Sequence, residues 1–274
     1  MSFLMRKSVD RAQVATPPRR SQIGSIVAVA SGKGGVGKTF MSITLASAFA
    51  KAGRRTLLVD GDLGLANIDV QLGIAPETDL AAVVAGWVEL EDAVTRVDGG
   101  AGNGGFDVLP GRSGSGALAE LSGEDVSRLA AGLSSMALQY DQIVLDLGAG
   151  VEPNCMRLAR AADKAVMVVT DEPTSMTDAY AFIKVLRGYA PKVEPLIAIN
   201  QAETRPAGQR TFEAISKACE RFLGFTPKLG GVVMRDDKVR EAIRQQRTLI
   251  STDPQAQPIQ DALAIAQNLL GSQH

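Results

Sequence analysis

From Ile26 onward the chain alternates between two hydrophobic rhythms. Short runs rich in β-branched residues predict strands at Ile26–Ser31, Thr56–Asp60, Phe106–Leu109, Gln142–Asp146, Lys164–Val169, Pro195–Asn200 and Leu229–Val233. Longer stretches of helical period lie between most of them. This alternation implies βαβ units: an α/β fold with a mainly parallel, twisted sheet, flanked by helices on both faces and joined by right-handed crossovers. One domain over residues 25–274 accommodates the pattern, and no repeat of solenoid period interrupts it. The Gly-rich stretch Asp98–Gly105 precedes a strand and is expected to be a surface loop. Residues 1–24 break the rhythm. They are polar and basic around Pro17-Pro18, and are expected to form a flexible tail.

Composition narrows the function classes. The 274 residues are 45% apolar and 22% charged, as in ordinary globular proteins, and a net charge of −1 gives no general footprint for nucleic acid. Cys155 and Cys219 are far apart and form no CxxC pair, so both are expected to be buried free thiols in a reducing cytoplasm. No apolar run approaches the roughly 20 residues needed to span a bilayer.

Ligands of parallel sheets bind beyond the carboxyl ends of strands, and four such ends carry chemistry. After the first strand, Gly32-Lys33-Gly34-Gly35-Val36-Gly37-Lys38-Thr39-Phe40 contains GxxxxGK[ST] between a strand and a helix. Backbone N–H groups of such a loop close around phosphates, Lys38 reaches the β and γ phosphates, and the Thr39 hydroxyl binds Mg²⁺. ATP and Mg²⁺ are therefore the expected cofactors. Asp60 and Asp62 follow the second strand at a spacing that suits a Mg²⁺ site and the orientation of an attacking water, though a solvated turn would carry the same pair. Asp146 closes the strand Gln142–Asp146 ahead of a Gly-rich loop, the arrangement of a Walker B aspartate with a mobile switch behind it. Asn200 ends the strand Pro195–Asn200; an amide there can pair with an adenine edge, although a lone Asn at such a place is more often a turn residue.

Lys33 is an extra cation that the ordinary phosphate loop does not need. The run Lys-Gly-Gly-Val-Gly-Lys-Thr resembles the deviant Walker A of the ParA/MinD superfamily, which implies the P-loop NTPase fold and slow, switch-like ATP hydrolysis. By that resemblance Lys33 crosses a nucleotide-sandwich homodimer to the other subunit's phosphates, Asp60 helps organise the Mg²⁺ site, and Asp62 is the switch residue that positions water. Asn200 then falls where the family reads adenine, and Glu172 matches a glutamate near the partner subunit's nucleotide.

Three further blocks resemble the FlhG/FleN branch of flagellar number and placement regulators: Asp62–Asp69, Val108-Leu109-Pro110-Gly111 with Ser113-Gly114, and Glu172–Tyr180. The resemblance implies a regulator of flagellar number or placement that works with an FlhF-like GTPase or with flagellar basal-body and regulatory proteins. Asp10-Arg11-Ala12 preserves only a fragment of the branch's GTPase-stimulating motif, Phe40 replaces a small or polar residue, and Met234 replaces a Pro beside the base. Relatives often end in a basic, membrane-docking helix. Here Ile259, Leu263, Ala266 and Leu270 form an apolar stripe, but nothing from Thr248 onward is Lys or Arg, so a helix packed on its own domain is expected. Membrane or cell-pole attachment would fall instead to the basic tail around Arg6 and Lys7. A DNA-partition or other cargo-positioning ATPase is the alternative, with DNA disfavoured by the charge balance; an iron–sulfur reductase component lacks the thiols.

Overall fold

The computed structural model describes residues 23–98, 104–111 and 121–271. Its first half contains β1 (Ser25–Ser31), α1 (Lys38–Lys51), β2 (Thr56–Gly61), α2 (Ile68–Leu72), α3 (Leu80–Val84), β3 (Thr95–Val97), β4 (Phe106–Leu109) and α4 (Gly123–Met136). The second half contains β5 (Gln142–Ala149), α5 (Pro153–Ala159), β6 (Lys164–Val169), α6 (Pro173–Tyr189), β7 (Glu194–Ala202), α7 (Arg205–Leu223), β8 (Lys228–Met234), α8 (Asp237–Arg244), α9 (Leu249–Thr252) and α10 (Gln257–Gly271). Among the described residues the strands form one sheet in the order β3-β4-β2-β5-β1-β6-β7-β8, parallel throughout except that β3 runs antiparallel to β4.

All seven expected strands are present. The eighth, β3, is a three-residue edge strand whose only partner is β4, too short and too polar to announce itself in a hydrophobic pattern. The sequence of β1, Ser-Ile-Val-Ala-Val-Ala-Ser, shows why the central strands are continuously apolar. Ile26, Ala28 and Ala30 face one layer of core and Val27 and Val29 the other, so no position is left for water. α4 to α7 cover the first face and α1 with α10 the second.

β1 lies between β5 and β6, while the chain leaves it through α1 to reach β2 on the far side of β5. Strand order therefore reverses at β1, and the crevice at its carboxyl end is where a sheet of this kind offers a ligand site. The phosphate-type loop occupies that crevice.

α10 packs on α1 and β8, as expected, with Ile259, Ala262, Ile265, Ala266 and Leu269 buried. The buried stripe is rotated from the one expected: Leu263 and Leu270 lie at its margin. Asp261 explains how a carboxylate sits on the inner face. One oxygen accepts from the Arg205 guanidinium and from Gln257 at 2.8 Å, the other from the Met234 N–H at 2.9 Å. Removing it strands those donors, so Asp261→Ala is expected to cost about 2 kcal/mol, discounted for the half-exposed Arg205. A shifted denaturation midpoint with an unchanged slope would confirm it. No helix among the described residues is long and apolar enough to cross a membrane.

Candidate functional site

After Ser31 the chain turns through six residues before α1 starts at Lys38. Gly37 caps that helix at φ 92°, in the left-handed region, and a Cβ there would stand 2.3 Å from the Asn200 side-chain nitrogen. Both the dihedral and the space demand glycine. The loop is braced from β7: Asn200 Nδ2 donates to the Val36 carbonyl at 2.7 Å, and Gln201 Nε2 to the Gly35 carbonyl at 3.4 Å. Gly32 is packed beneath α6, where an added Cβ would stand 2.4 Å from that of Asp178.

Beside the loop opens a cleft of about 780 Å³. Of the candidate residues, Gly34, Gly35, Gly37, Lys38, Thr39, Phe40 and Asp62 are at its wall. Asp60 and Asp146 stand behind it, buried at 1% exposure each and paired across β2 and β5. Lys38 Nζ lies 3.7 Å from Asp146 Oδ1 and 3.8 Å from Asp62 Oδ2, a single cation facing two carboxylates.

The carboxylates are held differently. Asp60 Oδ2 accepts the N–H groups of Asn67 and Ile68, both at 3.0 Å, and Oδ1 that of Asp62 at 3.3 Å. It therefore folds the loop that presents Asp62. Gly111 sits against this loop, with room for a Cβ only 2.7 Å from that of Ala66, which accounts for the Pro110-Gly111 block. Asp62 Oδ1 accepts from the Leu65 N–H at 3.0 Å. Asp146 Oδ1 accepts from Ser42 Oγ at 2.9 Å, and its Oδ2 is buried without a partner.

Burial pushes the Asp60 carboxyl up to about 7, and repulsion from Asp146 adds to this against three N–H donors that pull it down. Asp146 is raised too, mainly by burial, with Lys38, Thr39 and Ser42 opposing and Asp62 adding. Two adjacent buried carboxylates that resist ionisation, one with an orphaned oxygen, form a place that gains from a further cation. Among the described residues no cluster of three or more His, Cys, Asp or Glu could hold a metal unaided. The donor set fits a hard divalent ion that takes one or two carboxylates, the Thr39 hydroxyl and oxygens of a phosphate ligand.

The other expected residues lie outside the cleft wall. Lys33 Nζ bonds Glu172 Oε2 at 2.5 Å and Thr174 Oγ1 at 3.3 Å on α6, with the Glu172 side chain largely exposed. Asn200 braces the loop from below through the Val36 carbonyl; one N–H of its amide is committed there, leaving the second N–H and the oxygen. The Phe40 side chain joins the core of the α1 and α10 layer.

Sequence reading missed Ser42, one helical turn beyond Lys38 and legible only once the start of α1 is known. It also missed Asn154, at the cleft wall on α5. Cys155 and Cys219 are buried and free, as expected. Cys155 reaches the cleft, but burial pushes its thiol up to about 12, so it stays protonated and inert.

The model of the CobQ/CobB/MinD/ParA nucleotide-binding domain matches residues 27–249. The chain is 37% identical to the antiactivator FleN of Pseudomonas aeruginosa, over 89% of this chain and 85% of that one. It is 31% identical to the flagellum site-determining protein YlxH of Helicobacter pylori, over 83% and 76%. A structure of the septum site-determining protein MinD from Pyrococcus horikoshii, complexed with Mg-ADP, superposes with a TM-score of 0.75 at 25% identity, covering 90% of this chain and 96% of that one.

Proposed function

Because the chain belongs to the CobQ/CobB/MinD/ParA family of nucleotide-binding proteins, we propose that it is a Mg·ATP-dependent switch that dimerises with ATP and sets flagellar number or placement. The observation that carries the switch is the triangle of Lys38, Asp62 and Asp146 around one cleft. The flagellar cargo rests on the likeness to FleN and YlxH.

The chain's own residues divide the work. The loop from Gly32 to Phe40 cradles phosphates, and Lys38 turns from its two carboxylates to the β and γ phosphates. Asp146 and Thr39 would hold Mg²⁺, with Asp60 supporting the loop behind them. The ion neutralises phosphate charge when bound. Release of Lys38 leaves Asp62 free to orient water on the γ-phosphate, and the Gly148–Gly150 loop adjusts as that phosphate is lost. Slow hydrolysis suits such a device, whose output is the population of dimer.

Lys33 is the proposed trans-acting residue. In the single chain it is paired with Glu172, so crossing to a partner subunit exchanges an exposed ion pair for a phosphate contact. Lys33→Ala is expected to bind ATP within about threefold of wild type by calorimetry and to stay monomeric by light scattering. An ATP-dependent dimer of that variant would sink the trans role.

An FlhF-like GTPase or another flagellar protein is the proposed partner. The apolar face of α10 is buried against its own domain, which supports a structural role for this helix over membrane attachment. If the chain visits the membrane, the basic tail serves, and liposome sedimentation with and without residues 1–22 should differ.

The deciding experiment is a count of flagella per cell by electron microscopy, with the gene deleted and then restored as wild type or Asp62→Ala. Number or placement corrected by wild type alone supports the reading. An unchanged count in a flagellated strain removes the flagellar cargo.

A further inference from the structure

α5 contains seven residues, whereas its neighbours α4 and α6 contain 14 and 17. Because it stops short, a trough of about 240 Å³ opens beyond its end, between α4 and the last turn of α6. Ala130, Ala131 and Ser134 form one wall, Tyr189 stands opposite, and Arg157 and Arg160 project from below.

Among the described residues no acidic side chain lines this trough. Arg160 is exposed, and its guanidinium is in none of the side-chain hydrogen bonds or ion pairs described above. Arg157 Nη1 donates to Asn154 Oδ1 at 3.1 Å, a neutral partner, and its guanidinium lies against Gly123, where an added Cβ would stand 2.8 Å from Cζ. Among the described residues the guanidinium is thus held by packing and a neutral hydrogen bond, without an opposite charge. Two cations three residues apart share one helical face and repel each other. Carboxylates at matching spacing would relieve that repulsion with charge-assisted, planar hydrogen bonds.

We propose that the trough docks an acidic amphipathic helix of a partner protein, with two carboxylates one turn apart on Arg157 and Arg160 and an apolar ridge lying on Ala130 and Ala131 beside Tyr189. Small residues on α4 let a second helix approach closely, and helix-in-groove binding reads anchors at this spacing. A compact free phosphate would not fill the trough, and a flat lipid surface would not enter it.

Docking reaches the cleft by a short path. Asn154 lines the nucleotide cleft, holds the Leu121 carbonyl at 3.1 Å and supports Arg157, one turn from the switch loop. A carboxylate that takes Arg157 competes with Asn154 for it, so docking changes ATP turnover. This second clause rests on the ATP-switch reading; docking itself does not.

The test is fluorescence anisotropy on the full chain with an 18-residue Ala/Leu helix carrying Glu pairs at i and i+4. Controls are the same peptide with Gln for Glu, inorganic phosphate, and phosphatidylglycerol vesicles. The Glu peptide should bind, and Arg160→Glu or a trough-filling Ala131→Trp should weaken it at least about tenfold, as should Gln for Glu. Arg160 and Ala131 are both exposed, so both variants should fold. Equal binding by wild type and both variants, or full displacement by phosphate or vesicles, overturns the proposal. So does loss of the ATP-dependent dimer in Arg160→Glu, which would make a second copy the occupant. Peptide-dependent turnover in wild type but not in Arg160→Glu supports the coupling, and docking with unchanged turnover refutes the coupling alone.

Discussion

Lys38→Ala is expected to weaken ATP binding at least about 100-fold, equivalent to about 2.7 kcal/mol, measured by calorimetry or with a fluorescent nucleotide. Charge-assisted hydrogen bonds to phosphate contribute about 1.5–3 kcal/mol, and this lysine is the cation nearest the phosphate loop's helix start. The loss has a second source. In the nucleotide-free chain Lys38 offsets Asp62 and Asp146, the latter buried and already resisting ionisation. Without the cation, Asp146 takes up a proton more readily and becomes a poorer acceptor for a metal. Retained helicity by circular dichroism separates this effect from unfolding. Near-wild-type affinity would remove Lys38 from the site.

Asp62→Ala should do the opposite to binding. Its carboxylate restrains Lys38 and accepts from the Leu65 N–H, so without it ATP affinity should hold or rise. Turnover should fall about 100-fold, the lower range for loss of a group that orients or deprotonates a nucleophile. With hydrolysis blocked, the dimer should persist in Mg·ATP by light scattering. A monomeric Asp62→Ala at saturating Mg·ATP would count against the proposed cycle, and full turnover would show that another residue handles the water.

The contrast between these residues shows what sequence can reveal. Lys38, Thr39 and Asp146 were legible because each belongs to a strand-end motif whose chemistry needs that residue type at that spacing. Asp60 and Asp62 were legible from their spacing only as a pair; the division of roles between them came from the family resemblance, not from the residue pattern. Which carboxylate braces the loop and which faces the cleft depends on the three N–H groups that Asp60 accepts, and backbone hydrogen bonds leave no mark in a pattern of residue types. The strands of the central sheet announced themselves because burial on both faces makes them continuously apolar. β3 did not, since an edge strand of three residues buries too little to require apolar side chains. For α10 the period was right and the phase was not: a stripe drawn through Ile259 and Leu263 passes over Ala262 and Ile265, and the buried Asp261 belongs to a polar network that hydropathy counts as surface.

The place of α10 also bears on how the protein is made. α1, the helix that begins at the phosphate loop, packs against α10, the last of the described helices. During synthesis the residues of α1 emerge early and wait, with Phe40, Ile43 and Phe49 lacking the neighbours that complete their layer. The layer behind the phosphate loop therefore closes only once residues 257–271 have emerged, and a chain cut before residue 257 is expected to hold the motif without the layer that backs it.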